Sequence, residues 1–363
     1  MADKIESAPK LELPASQHVV DVSIIDSTTF IRVPTGSFVE NPLPGHESLE
    51  CPAFVFLVQH PSGKKVLFDL GLRKDTESLA PVIHEGMAHG VIATVEKDVA
   101  QILQESGRVA LHEIDSIIWS HYHADHAGDP STFPSTVELV VGPGFKRAFL
   151  PGYPANPQGV ILESDYVGRP LREIDFTNGL RIGEFQAFDF FGDGSFYLLD
   201  APGHAIGHIC ALARTTPSTF ILMGGDACHH CGSLRPNRHL PLPAYVSPAP
   251  FSVPPHLPGS VCPRAVLEAI HPERSRTAPY YSRLSQAPDR DVAKAEATLD
   301  KMVAFDASED VFVVIAHDKS LLGVVDFFPR SANEWKEKGW KEAGKWRFLE
   351  DFGGAVAKSQ AST

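Results

Sequence analysis

Long apolar runs are missing from this sequence. No stretch approaches the ~20 residues of a membrane span, and the opening MADKIESAPKLELPAS has no hydrophobic signal core. Neither a membrane partner nor secretion is expected, and the expectation is a cytoplasmic protein. Cysteine is scarce too. The five present (Cys51, Cys210, Cys228, Cys231 and Cys262) are too few and too scattered for a secreted disulfide framework, so they are expected to be mostly reduced. Basic charge is also short: 32 Lys and Arg against 45 Asp and Glu leave a formal net charge of −13. That balance opposes the counterion release that drives binding to phosphate backbones, which argues against nucleic acid and for a small molecule. Apolar residues themselves are plentiful, at 43% with 21% charged, and 363 residues suffice for one large layered α/β domain.

AFVFLVQH (53–60), KVLFDLG (65–71), IDSIIWS (114–120), ELVVG (138–142), FYLLDAPGH (196–204), STFILMGGD (218–226) and DVFVVIAHD (310–318) read as buried or half-buried strands. VEKDVAQILQESG (95–107) and DVAKAEATLDKMVAF (291–305) carry apolar residues at helical spacing. The layout predicts one domain over residues 18–350, with flexible segments at 1–17 and 351–363. Eleven of the thirty prolines fall between Gly232 and Tyr281. Proline removes the donors that helices and central strands need, so residues 232–281 are expected to be mostly loop, either a cap over a site or a surface insertion. In a cap, Tyr245 and Phe251 of LPLPAYVSPAPF (240–251) are the apolar candidates for substrate contact.

SHYHADHAGD (120–129) packs three histidines and two aspartates directly after a strand. In extended geometry His121 and His123 share one face and His126 points to the other, so convergence of the three requires the chain to turn just after Ser120, which Ala124 and Gly128 permit. Imidazole and carboxylate are the donors that zinc and comparable divalent ions favour. Further donors stand immediately after other strands: His204 and His208 in FYLLDAPGHAIGH, Asp226 in FILMGGDA and His317 in VFVVIAHD.

HYHADH resembles the H-x-H-x-D-H motif of the metallo-β-lactamase superfamily, the other segments follow in that family's order, and FDLG around Asp69 resembles its first motif. The resemblance covers roughly Ala53 to Asp318. It implies an αββα sandwich, here with a proline-rich loop insertion, and two divalent ions, expected to be Zn2+. By that resemblance His121, His123 and His208 hold the first ion, Asp125, His126 and His317 the second, and Asp226 bridges them. His204 and Asp69 are then supporting residues, with Asp69 orienting the histidine loop.

Two ions about 3.5–4 Å apart can share a water, lower its pKa toward ~7 and present hydroxide to a carbonyl. Asp125 can in addition carry a proton to the leaving group. The segments around DAPGHAIGH and GGDACHH most resemble the acyl-homoserine-lactonase-like branch, including fungal lactonase and lactamase relatives. The expected substrate is therefore a cyclic ester or cyclic amide: a lactone, lactam or cyclic carbamate. A glyoxalase-II-like thioesterase and a persulfide-dioxygenase-like oxidoreductase with one iron are the rival activities. The oligomeric state is left open, a homodimer included.

His229 stands where the resembling lactonases place a tyrosine that contacts the substrate carbonyl, so it is the candidate donor to the oxyanion, with His230 its competitor. The C-x-x-C of CHHC (228–231) has no thioredoxin pattern around it and is expected to pack rather than to react. HEGMAH (84–89) lacks the i, i+4 spacing of a metal-binding H-E-x-x-H helix and reads as a loop near the site or a surface turn.

Overall fold

The apolar strands read as continuous runs because both of their faces are covered. In the computed structural model, which describes residues 6–87, 90–251 and 261–361, Phe54, Phe56 and Val58 enter one hydrophobic cluster while Val55 and Leu57 of the same strand enter another. Successive side chains of a strand point to opposite faces, so each face meets its own partner layer.

The first sheet has seven strands: β1 (Asp21–Pro34), β2 (Ser48–Gln59), β3 (Lys65–Phe68), β4 (Ile92–Val95), β5 (Ser116–Ile118), β6 (Glu138–Val141) and β7 (Leu171–Glu173), in the spatial order β4-β1-β2-β3-β5-β6-β7. The second sheet contains β8 (Arg181–Ile182), β9 (Phe185–Asp189), β10 (Phe196–Asp200), β11 (Ile209–Arg214) and β12 (Phe220–Met223). After a two-stranded ribbon, β13 (Tyr245–Val246) with β14 (Cys262–Pro263), the chain returns as β15 (Val311–Val314) beside β12, completing the order β15-β12-β11-β10-β9-β8.

Between the sheets Phe54, Phe56, Phe68 and Ile118 meet Leu198, Ile209, Ala211 and Val314. On the outer face of the first sheet Val55, Leu57 and Leu67 cover Val99 and Leu103 of the helix Val99–Ser106. On the outer face of the second, Leu199, Leu212 and Leu222 cover Leu299, Met302 and Phe305 of the helix Val292–Ala307. Two sheets face to face with a helical layer outside each make the expected αββα sandwich. Among the described residues no helix is long and apolar enough to cross a membrane.

Three boundaries differ from the sequence reading. Residues 353–361 form a helix that buries Ala355 and Val356, and Phe352 just before it is fully buried, so this part of the tail is docked rather than free. Residues 6–17 have no regular structure, yet they are tied down: the Arg214 guanidinium donates to the Pro14 carbonyl, Ser16 Oγ donates to the Asp193 carbonyl, and Leu11 and Leu13 pack on the core. The proline-rich segment is more regular than its composition implies. It includes the helix Arg264–Ile270 and buries Cys262, Leu267, Tyr280 and Tyr281 in the main core. Residues 252–260 of that segment lie outside the described residues. His84 of HEGMAH sits on the helix Pro81–Met87, and His89 lies outside the described residues.

Candidate metal centre

The site is assembled from the ends of strands. Asp69 follows β3, the histidine motif follows β5, His204 and His208 follow β10, Asp226 follows β12 and His317 follows β15. The turn needed after Ser120 is a short helix, Ala124–Ala127, whose first backbone bond runs from the His126 N–H to the His123 carbonyl at 3.0 Å. It carries Asp125 and His126 back toward His121. Gly128 ends it at φ +55°, where a Cβ would lie 2.4 Å from the Leu70 Cβ.

Asp69 organises this turn. It adopts a left-handed backbone (φ +65°), uncommon for a residue with a side chain, and its carboxylate accepts from the Ser120 N–H at 2.6 Å, the Ser120 hydroxyl at 2.8 Å and His126 Nδ1 at 2.8 Å. Ser120 Oγ in turn lies 3.0 Å from His121 Nδ1. On the other side of the cluster, His317 Nδ1 donates to the Pro52 carbonyl at 2.6 Å. Each bond fixes the tautomer and turns Nε2 inward.

Two donor sets result. His121 Nε2 lies 2.8 Å from His123 Nδ1 and 3.2 Å from His204 Nε2, and His204 Nε2 lies 3.0 Å from His123 Nδ1. These three residues and Asp226 place one donor each within 4.8 Å of one another, and so do Asp125, His126 and His317. Asp226 faces both sets. Its Oδ1 is 3.0 Å from Nε2 of His126 and of His317, while its Oδ2 is 3.4 Å from His204 and 3.6 Å from His121.

The histidine of the first set is His204, which corrects the expectation for APGHAIGH. His208 is fully buried with both nitrogens engaged by backbone: Nδ1 donates to the Ala201 carbonyl at 2.7 Å, and Nε2 accepts the Asp226 N–H at 3.0 Å. It braces the aspartate loop from behind. His204 comes forward because Gly203 (φ +125°) presses its loop on the helix Val292–Ala307, where a Cβ would stand 2.1 Å from the Ala295 nitrogen. Asp291 N–H also donates to the Gly203 carbonyl at 2.8 Å.

The donors suit divalent ions. His126 Nε2 and Asp226 Oδ1 are buried without a directed hydrogen bond despite their close approach, an arrangement that is costly unless something else coordinates both. Burial pushes His121 and His204 well below the ordinary imidazole value, which keeps them neutral as ligands must be. For Asp226 burial acts upward, but the His126, His317 and His229 rings outweigh it and hold the carboxyl well below the usual range. Burial also acts against charge on His126 and His317, but the Asp226 carboxylate outweighs it and raises both above the ordinary imidazole value, so a bound ion would take the place of their protons.

The remaining candidates separate. His229 reaches the cluster: its Nε2 is 3.0 Å from Asp226 Oδ2, its ring stacks on Phe38 with centroids 3.6 Å apart, and burial lowers its pKa to about 4. His230 turns away, accepting the Gly232 N–H on Nδ1 with Nε2 3.4 Å from Asp351, so it is not placed to compete with His229. Tyr245 is 62% exposed, and Phe251 packs on the main core near Gly353; no described contact joins either to the donors. The cover over the centre comes instead from residues 36–40 and 283–290. The Ser285 N–H donates to the Phe38 carbonyl at 3.0 Å, Glu40 N–H donates to the Arg283 carbonyl at 3.2 Å, and Asp289 reaches His123. Nothing in APDRD pointed to that segment, because its only link to the histidine motif is three-dimensional. Cys228 and Cys231 are buried, and burial pushes both thiols well up, as expected for packing residues.

The chain is similar to known proteins in both sequence and fold. The chain is 43% identical over 364 residues to gamma-lactamase FDB1 of Fusarium pseudograminearum (strain CS3096), covering 96% of this chain and 86% of that protein. It is 44% identical over 351 residues to the metallo-hydrolase mfmC of Annulohypoxylon moriforme, covering 95% and 90%. Among solved structures it resembles an N-acyl homoserine lactone hydrolase with the product N-hexanoyl-L-homoserine bound at its catalytic metal center. That match has a TM-score of 0.57 at 16% identity and covers 86% of this chain and 99% of that one, a likeness of fold. Residues 49–317, from the middle sheet strands to the last histidine of the cluster, match the metallo-beta-lactamase superfamily, and it is to this superfamily that the chain belongs.

Proposed function

We propose that the protein is a hydrolase that opens a cyclic ester or cyclic amide at a centre of two divalent ions, with zinc as the ion. The observation that carries the reading is the Asp226 carboxylate, which turns one oxygen to each donor set. His121, His123 and His204 would hold one ion, Asp125, His126 and His317 the other, and Asp226 would serve both. The related gamma-lactamase supports the substrate class, and the related metallo-hydrolase supports hydrolysis at a metal. When bound, such ions supply a polarised carbonyl and an activated water at neutral pH.

The chain's own residues do the rest. Asp69, Ser120 and Pro52 hold the imidazoles in one tautomer, so the donor set is preorganised. The Asp125 side chain is 20% exposed, against 3% for Asp226, which leaves it on the open side of the cluster. From there it can take the proton of the attacking water and return it to the leaving alkoxide or amine as the ring opens. No thiol is needed as nucleophile.

His229 is assigned the hydrogen bond to the developing oxyanion. Its Nε2 is buried without a directed partner and its ring is braced by Phe38. His229→Ala is expected to lower turnover by about 10² with metal content intact, the usual effect of removing one oxyanion donor. His229→Tyr, which retains a flat ring and a donor, should recover part of that loss. Single-turnover kinetics beside elemental analysis checks this, and loss of metal from His229→Ala would make the residue a ligand.

Elemental analysis of the purified protein, paired with a hydrolysis panel of lactones, lactams, cyclic carbamates, thioesters and phosphodiesters, tests the reading as a whole. About two zinc ions per chain are expected, since the donors exceed what one tetrahedral ion uses, with turnover concentrated on the cyclic substrates. One tightly held iron with thiol-dependent oxygen uptake would overturn it.

A further inference from the structure

Every imidazole of a metal centre works through one nitrogen, and the other needs a partner that fixes which nitrogen carries the proton. His121, His126 and His317 have theirs in Ser120, Asp69 and the Pro52 carbonyl. His123 differs from them because it presents Nδ1 to the cluster, leaving Nε2 to face outward. That nitrogen lies 3.0 Å from Asp289 Oδ2. An ionised carboxylate only accepts, so this contact places the proton on Nε2 and the lone pair on Nδ1, aimed at His121 and His204.

Asp289 is itself held in place. The Tyr122 hydroxyl donates to the same Oδ2, which restricts rotation of the carboxylate. The next residue, Arg290, donates to the carbonyls of Ser285 at 2.7 Å and Ser37 at 3.2 Å, and Asp291 donates to the Gly203 carbonyl beside His204. Asp291 also caps the helix Val292–Ala307 by accepting from the Lys294 N–H. The carboxylate therefore has a fixed origin, in the turn that leads into the same helix that positions the His204 loop.

We infer that Asp289 is a positioning residue for the first ion, a carboxylate that fixes the ligand tautomer of His123 and adds negative charge behind it, with Tyr122 holding the carboxylate in line. This rests on the two-ion reading above, but it concerns ion affinity rather than the reaction. The His123–Asp289 contact is about one-third exposed on both sides, so it can be altered without opening the core.

The test is chelator competition for zinc, read on metal-stripped and reloaded full-length protein, together with the visible d–d spectrum after cobalt(II) substitution. Asp289→Asn, which matches the shape without the charge, and Asp289→Ala are expected to weaken the first ion about 10–100-fold. The cobalt bands should shift, while the melting temperature of the stripped protein stays at the wild-type value. Tyr122→Phe should show a smaller loss in the same direction, and Asp289→Glu should restore part of the affinity. Competition curves and cobalt spectra in Asp289→Asn that superimpose on wild type overturn the inference and leave the hydrolase reading standing. Wild-type affinity that depends on Asp289, in a protein that opens no cyclic substrate, upholds the inference and overturns the hydrolase. If wild type binds no ion at all, both fall.

Discussion

Asp226→Ala is expected to lower kcat/KM on the preferred cyclic substrate by at least about 10³, equivalent to roughly 4 kcal/mol of lost transition-state stabilisation. Metal content should fall from about two ions per chain to less than one. The size follows from the geometry. Among the described residues Asp226 alone turns its two oxygens to separate donor sets, 3.0 Å from His126 and His317 on one side and 3.4 Å from His204 on the other. Its removal also takes the nearest carboxylate from the buried His317 ring and leaves His126 with Asp69 as its close carboxylate. Circular dichroism of the variant should remain that of the folded protein, because the side chain lies outside the hydrophobic clusters. Turnover within tenfold of wild type at full metal content would show that the carboxylate does not serve both ions.

The second large effect distinguishes two histidines four residues apart. His204→Ala is expected to lose about 10³ in turnover and to bind the first ion weakly, with thermal stability of the metal-free protein near the wild-type value. His208→Ala should do the reverse. Its imidazole accepts the Asp226 N–H and donates to the Ala201 carbonyl in a fully buried position, so the substitution strands two backbone groups. Each stranded group costs about 1–3 kcal/mol. A lower melting temperature with most of the turnover retained at saturating zinc is the expected result for His208→Ala. Should His208→Ala abolish metal binding while His204→Ala leaves it intact, the assignment of the first donor set is reversed.

The two histidines also show where reading the sequence stopped. The motif APGHAIGH offers two imidazoles after one strand, and spacing alone does not choose between them. The choice is made by Gly203 against Ala295, a contact across more than ninety residues of chain. The donors of HYHADH, by contrast, were legible because they are local: one strand, one turn and one short helix bring them together. The strands with buried faces were legible for the same reason. β1 was not, because Ser27, Thr28 and Thr29 interrupt its apolar pattern at a shift in register between Asp26 and Phe30, where Thr28 takes φ +57°. The proline-rich segment misled in another way. Its prolines exclude long helices, but they did not prevent Cys262, Leu267 and Tyr280 from packing into the core. Asp289 lay beyond any pattern, since one carboxylate in a polar loop carries no mark of the histidine it faces.

The seam between the sheets has a further consequence. The first sheet contributes Asp69 and the His121–His126 loop, whereas the second contributes His204, Asp226 and His317. Neither half of the sandwich holds a complete donor set, so the distance between the ions' ligands is set by how far apart the two sheets rest. Phe56 and Phe68 on one side, and Leu198 and Ile209 on the other, therefore act as spacers as well as core. A smaller side chain among them would let the sheets settle toward each other, and close-packed interiors pass such shifts on rather than absorb them. Residues that touch none of the seven donors thus share in setting the gauge of the site.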